Sequence, residues 1–141
     1  MGMMINFTVD GKPIGKGRPR FARRGAFVQT YTPKATMSWE EVIREASRVA
    51  MGSTMPLETS VALSVRVYMP IPQSWSKKKK EQAIASDIRP GKPDLDNHIK
   101  CVMDAGNGIL WVDDSLVCEL HSMKCYATHP HLEITVAELL P

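Results

Sequence analysis

The sequence predicts an α+β fold: a single domain with a mixed β-sheet of about four strands and two to three helices packed on one face. Three observations point there. The chain has 141 residues, the length of one ordinary domain. Its hydrophobic periods follow the order β–α–β–(α)–α–β–β. No internal repeat or low-complexity segment suggests another architecture.

Met4 to Val9 alternates and reads as a strand, ended by Gly11 and Pro13. Residues 11–33 form a Gly/Arg/Pro arm, with short β pairing expected over Phe27-Val28-Gln29-Thr30-Tyr31. A helix follows from Pro33 or Ser38 to Met51, because Trp39, Val42, Ile43, Ala46, Val49 and Ala50 recur at helical spacing as a buried stripe. Ser38 and Glu41 make a capping box, Thr32-Pro33 is an equally good start, and Gly52 is the stop. Val61 to Met69 is a strand terminated by Pro70 and Pro72. Residues 76–85 form a short basic helix, and Ile88 to Pro93 a loop held open by Pro90, Gly91 and Pro93. The next helix runs from Leu95 to Ala105 and stops at Gly106-Asn107-Gly108. Leu116 to Tyr126 and Leu132 to Ala137 are the last two strands.

A domain spanning 1–141 buries enough surface to fold without disulfides or a structural metal. No apolar run approaches the roughly 18 residues needed to span a bilayer, so no membrane association is expected. An early run of Asp10, Lys12 and Lys16 argues against a signal peptide. The odd set Cys101, Cys118 and Cys125, without a C-x-x-C pair, suits reduced thiols and a cytoplasmic location. A zinc site from Cys118, His121 and Cys125 is disfavoured, because on a strand the two cysteines face opposite sides. Trp39, Trp75 and Trp111 read as core or interface residues, with Trp75, between prolines and lysines, the candidate for stacking on a base.

Net charge is only +3, but its distribution is uneven. The arm carries Lys16, Arg18, Arg20, Arg23 and Arg24, and a second cluster is Lys77-Lys78-Lys79-Lys80. Acidic residues gather between Asp94 and Glu119. Basic segments of this kind attract a polyanion such as nucleic acid. The lysine run reads equally well as a solvated helix face. On the arm, Gly15, Gly17 and Pro19 hold the arginines on an extended chain.

The densest signal is Lys92-Pro93-Asp94-Leu95-Asp96-Asn97-His98-Ile99-Lys100, followed by Asp104 and by Trp111-Val112-Asp113-Asp114. Like charges beside apolar residues are costly unless a cation neutralises them. A divalent ion with oxygen ligands, Mg²⁺ in particular, meets that need and binds phosphate as well. Asp96, Lys100 and Asp104 stand at i, i+4 and i+8 on one helix face, opposite a buried stripe of Leu95, Ile99, Val102 and Met103. Taken singly, each part also has a structural reading. The Asp–Lys–Asp ladder makes surface salt bridges, Asp94 caps a helix, and Asp113-Asp114 forms a turn. Their conjunction inside a basic frame points to phosphate-ester chemistry on nucleic acid.

These residues resemble the signature of the RusA-like Holliday junction resolvases, small enzymes often carried by phages and prophages. The resemblance rests on Lys92-Pro93-Asp94-Leu95-Asp96-Asn97-x-x-Lys100, Asp104-Ala105-x-Asn107-Gly108 and Asp113-Asp114-Ser115. It extends to Lys16-Gly17-Arg18-Pro19-Arg20, Tyr31-Thr32-Pro33 and Pro72-x-Ser74-Trp75-Ser76. It implies a homodimer that binds four-way or branched DNA and cuts two opposed strands with Mg²⁺, Mn²⁺ being the expected substitute, in DNA recombination and repair. On this resemblance Asp94, Asp96 and Asp114 are the metal-binding catalytic aspartates, and Lys100 is the catalytic lysine. Asn97, Asp104 and Asp113 match positions of possible support. Lys16, Arg18, Arg20, Arg23, Arg24 and Lys77 to Lys80 are the expected DNA contacts. Three positions depart from the pattern: Leu116 stands where Gln is common, Gly106 where Leu is usual, and His98 where an apolar or aromatic residue is usual. Two other readings stay open, a non-catalytic branched-DNA-binding protein and a metal-dependent phosphohydrolase on nucleotides.

Overall fold

Alternating apolar residues make the centre of the molecule. The computed structural model describes residues 2–16, 20–24, 27–31 and 37–141. In β4, Val61–Pro70, the side chains of Val61, Leu63, Val65, Val67 and Met69 are all buried while their neighbours face the other side. β4 pairs antiparallel with β6, His131–Glu138, which pairs antiparallel with β1, Met4–Asp10. Its other edge runs parallel to β5, Val117–Ala127. The order is β1-β6-β4-β5, a mixed sheet. Parallel neighbours need a long crossover. That connection carries α2, Lys77–Ile84, and α3, Leu95–Gly106.

Helix α1, Trp39–Met51, packs on α3 and β1. One core joins Ile43 of α1, Ile99 and Val102 of α3, the odd residues of β4, and Leu132, Ile134 and Val136 of β6. Trp111 and Leu110, in the turn after α3, are completely buried in it. The expected single-domain α+β mixed sheet with helices is therefore the architecture found. A separate ribbon pairs β2, Arg20–Arg24, with β3, Phe27–Tyr31. The pairing expected at 27–31 is thus real, and its partner is the arginine-bearing segment of the arm. Arg18 lies outside the described residues. So do Thr32 and Pro33, and the Ser38 side chain accepts from Glu41 N at 3.2 Å to cap α1.

Two helix stripes differ from expectation. On α1, Val49 is 75 % exposed, while Ser47 is buried and its hydroxyl donates to the Ile43 carbonyl at 2.8 Å. A serine that back-bonds within its own helix needs no other polar partner and can enter a core. On α3, the buried face is His98, Ile99, Cys101, Val102 and Ala105. Leu95 and Met103 are only partly buried. The helix is wedged between sheet and α1, which turns its covered face away from the Leu95–Met103 edge. Asp114–Leu116 forms a 3₁₀ turn, so β5 begins at Val117 rather than Leu116. Among the described residues, no helix is long and apolar enough to cross a membrane.

Candidate active site

The edge that α3 leaves open becomes the floor of a cleft of about 470 Å³. Leu95, Ile99 and Met103 line it together with Leu120 and Ser122 of β5. Asp96, Lys100 and Asp104 enter from α3, and Asp114 enters from the 3₁₀ turn. The fold thus gathers four of the charged residues singled out in the sequence, from two separate segments.

Their pairing is not that of a surface ladder. Asp96 and Lys100 are both exposed, and neither makes an ion pair among the described residues. Asp104 is taken by a residue from elsewhere. Lys16 Nζ lies 2.9 Å from Asp104 Oδ2 and also pairs with Glu40 of α1. Burial pulls the Lys16 ammonium down, but hydrogen bonds and charge from Glu40 and Asp104 outweigh it and hold the group above the ordinary lysine range. The backbone N–H of Lys16 donates to the Asn97 carbonyl at 3.1 Å. The root of the arm is therefore fastened to α3.

Asp114 is half-buried and sits 3.5 Å from the Asn107 side-chain nitrogen. Asn107 Oδ1 in turn accepts from the buried Trp111 indole at 3.0 Å. Arg44 of α1 donates to the carbonyls of Ala105 and Asn107 at 3.1 and 2.9 Å, satisfying the end of α3. Asn107 belonged to the matched signature but was not picked out as a site residue. Trp111 and Arg44 carried no sequence signal beyond an apolar and a basic side chain. Their role exists only once three segments meet.

Asp94 is the N-cap of α3, yet its side chain makes no capping hydrogen bond. It is exposed and pairs with Lys92, 3.0 Å from Nζ to Oδ1. Asp94 is not among the residues lining the cleft. Asp113 lies outside it too, with its carboxylate held below the usual range by hydrogen bonds from the Ser115 side chain and backbone. Among the described residues, no three His, Cys, Asp or Glu side chains stand as a ready-made metal cluster.

The basic candidates divide. Arg20, Arg23 and Arg24 lie on β2. Lys77 to Lys80 fill the first half of α2, whose N-cap Ser76 accepts from Lys79 N at 3.2 Å. Lys79 Nζ sits 4.2 Å from the centre of the half-buried Trp75 ring, and Trp75 meets Tyr126 edge-on at 5.3 Å. Lys77 and Lys80 flank a different groove, beside Ile84 and Ala127. Helical geometry thus sends the four lysines in several directions.

Two buried groups complete the surroundings. His98 is 1 % exposed, and neither ring nitrogen reaches hydrogen-bonding geometry. Burial, and then the charge of Lys124, lower its pKa against a weaker opposite pull from the Pro93 carbonyl. The neutral ring serves as an apolar filler. Cys101, pushed up to about 12 by burial and then by Glu40, stays a thiol and offers no nucleophile.

The family described as endodeoxyribonuclease RusA matches residues 10–137. The chain is also 36 % identical over 138 residues to "Uncharacterized protein YqaN" of Bacillus subtilis (strain 168), covering 96 % of each chain.

Proposed function

From the premise that this chain belongs to the RusA endodeoxyribonuclease family, we propose that it is a Mg²⁺-dependent, structure-selective endonuclease that resolves four-way DNA junctions by paired strand cleavage. The supporting observation is the cleft, which Asp96, Lys100 and Asp114 line together, with no salt-bridge partner for Asp96 or Lys100 among the described residues. Unpaired opposite charges beside an apolar floor are poorly explained as surface stabilisation, where an ion pair contributes only a few tenths of a kcal/mol.

The donor set fits a hard cation. Asp96 and Asp114 offer carboxylate oxygens only, and Mg²⁺ commonly takes one or two carboxylates and completes its shell with waters and phosphate oxygens. Asp94 would join them by giving up Lys92. Such an ion supplies Lewis-acid charge at the scissile phosphate and an acidified water for hydrolysis. The chain's own groups do the rest. Lys100, one turn from Asp96, meets the charge that builds on the phosphate oxygens. Asn107 holds Asp114 in orientation, itself fixed by Trp111. Leu95, Ile99 and Met103 give the cleft an apolar floor beside these charges. The β2–β3 ribbon and the α2 lysines grip phosphates outside it. A homodimer would present two such sites about one axis, matching the approximate two-fold symmetry of a junction.

A gel assay on four-way, three-way and linear DNA, with and without Mg²⁺, tests the reading. The four-way substrate should be cut in Mg²⁺ or Mn²⁺, and plain duplex should not. Asp94→Asn, Asp96→Asn and Asp114→Asn should each lower cleavage by about a hundredfold or more while junction binding persists. Wild-type cutting by Asp96→Asn or Asp114→Asn would rule out the assignment. Binding without any cleavage in either metal would favour a non-catalytic branched-DNA-binding protein.

A further inference from the structure

Helical spacing places Lys100 one turn from both Asp96 and Asp104, where an Asp–Lys ladder would ordinarily close. Asp104 is instead neutralised by Lys16, which reaches in from the arm. This contact is built rather than incidental. Lys16 also pairs with Glu40, and its backbone N–H is bonded to the Asn97 carbonyl. Close approach of the arm needs the preceding glycine, since a Cβ on Gly15 would stand 3.0 Å from Pro93 Cβ and 3.1 Å from Asn97 Cβ. Both Lys16 and Asp104 are about two-thirds covered, at 28 % and 31 % exposure. Moving Lys16 away to a DNA phosphate would leave Glu40 and Asp104 without their shared cation.

We propose that Lys16 is a positioning residue: by holding Asp104 it keeps the Lys100 ammonium available to the phosphate in the cleft. This deepens the nuclease reading above and rests on it. It also removes Lys16 from the set of direct DNA contacts. Without Lys16, Asp104 captures Lys100, one turn away, and the charge aimed at substrate is lost to an internal ion pair.

The test is a charge-rescue series, with single-turnover cleavage of a four-way junction in Mg²⁺ and junction Kd measured separately without divalent metal. Lys16→Met should slow cleavage by about tenfold or more at saturating enzyme. Its Kd should change by less than about twofold, since no phosphate contact is removed. Adding Asp104→Asn to Lys16→Met should restore most of the rate, because the competing carboxylate is gone. Adding Glu40→Gln instead should restore little. The double variant removes both partners of this partly covered pair, so it keeps the comparison readable even where Lys16→Met alone proves unstable. A double variant as slow as Lys16→Met overturns the proposal. So does a Lys16→Met protein that binds weakly yet cuts at full rate once saturated. Absence of wild-type cleavage would remove the nuclease reading and this proposal with it. Wild-type cleavage without rescue would remove only the role of Lys16.

Discussion

Gly106 shows how closely the turn after α3 is fitted. A Cβ there would lie 2.9 Å from both Leu110 Cδ1 and Trp111 Cζ2. Those two side chains are fully buried and cannot withdraw. The departure from the family's usual leucine therefore has a packing reason: in this chain Trp111 and Leu110 fill the space. Gly106→Ala should destabilise the fold by about 1–3 kcal/mol, the range for overpacking a filled core, as read by denaturant unfolding. An unchanged midpoint would mean that the turn repacks freely. His98 is a second case. A position that is usually apolar or aromatic is here a histidine whose ring nitrogens find no hydrogen-bond partner among the described residues, and burial disfavours its charged form. No feature of the sequence around His98 distinguished a packed imidazole from a ligand, because histidine is used for both.

Elements were legible where one physical signal dominated. β4 alternates without exception, and Ser38 caps α1 as its sequence position suggests. The stripes of α1 and α3 were less legible. Helical period identifies a face, but its centre depends on what packs there, and α3 is covered by two neighbours at an angle. Val49, Leu95 and Met103 were therefore assigned too deep. The cleft followed from that same rotation, and no sequence pattern encodes it. The charge pairing around Lys16 was equally hidden, since its partners lie 24 and 88 positions away. The β2–β3 ribbon carries three of the arginines proposed to contact DNA. Each phosphate contact contributes a slope of about −0.9 in log K against log salt. Replacing Arg20, Arg23 and Arg24 with alanine should flatten that slope by about one per residue, read by titrating junction binding against salt. An unchanged slope would assign the ribbon to a role other than phosphate contact.

At the scale of the whole molecule, the crossover between two parallel strands carries the residues proposed for the chemistry. β4 and β5 lie side by side, and the segment linking them contributes α2, α3 and the 3₁₀ turn. The paired cleavage proposed here needs two such sites, and the described residues of the 15.7 kDa chain provide one. Sedimentation should accordingly give a species of twice the chain mass that persists at low micromolar concentration. A strictly monomeric protein that still cuts both strands of a junction in one encounter would contradict the symmetric arrangement.

The fastening of Lys16 to Asn97 also acts as a ruler. An extended chain advances at most about 3.6 Å per residue, so Arg20 can never stray more than about 14 Å from that anchor. A DNA backbone held at Arg20, as proposed, would thereby lie within about half a duplex turn of the helix carrying Asp96. In the proposed nuclease, the root of the arm rather than its arginines would set how far from the grip a strand is cut.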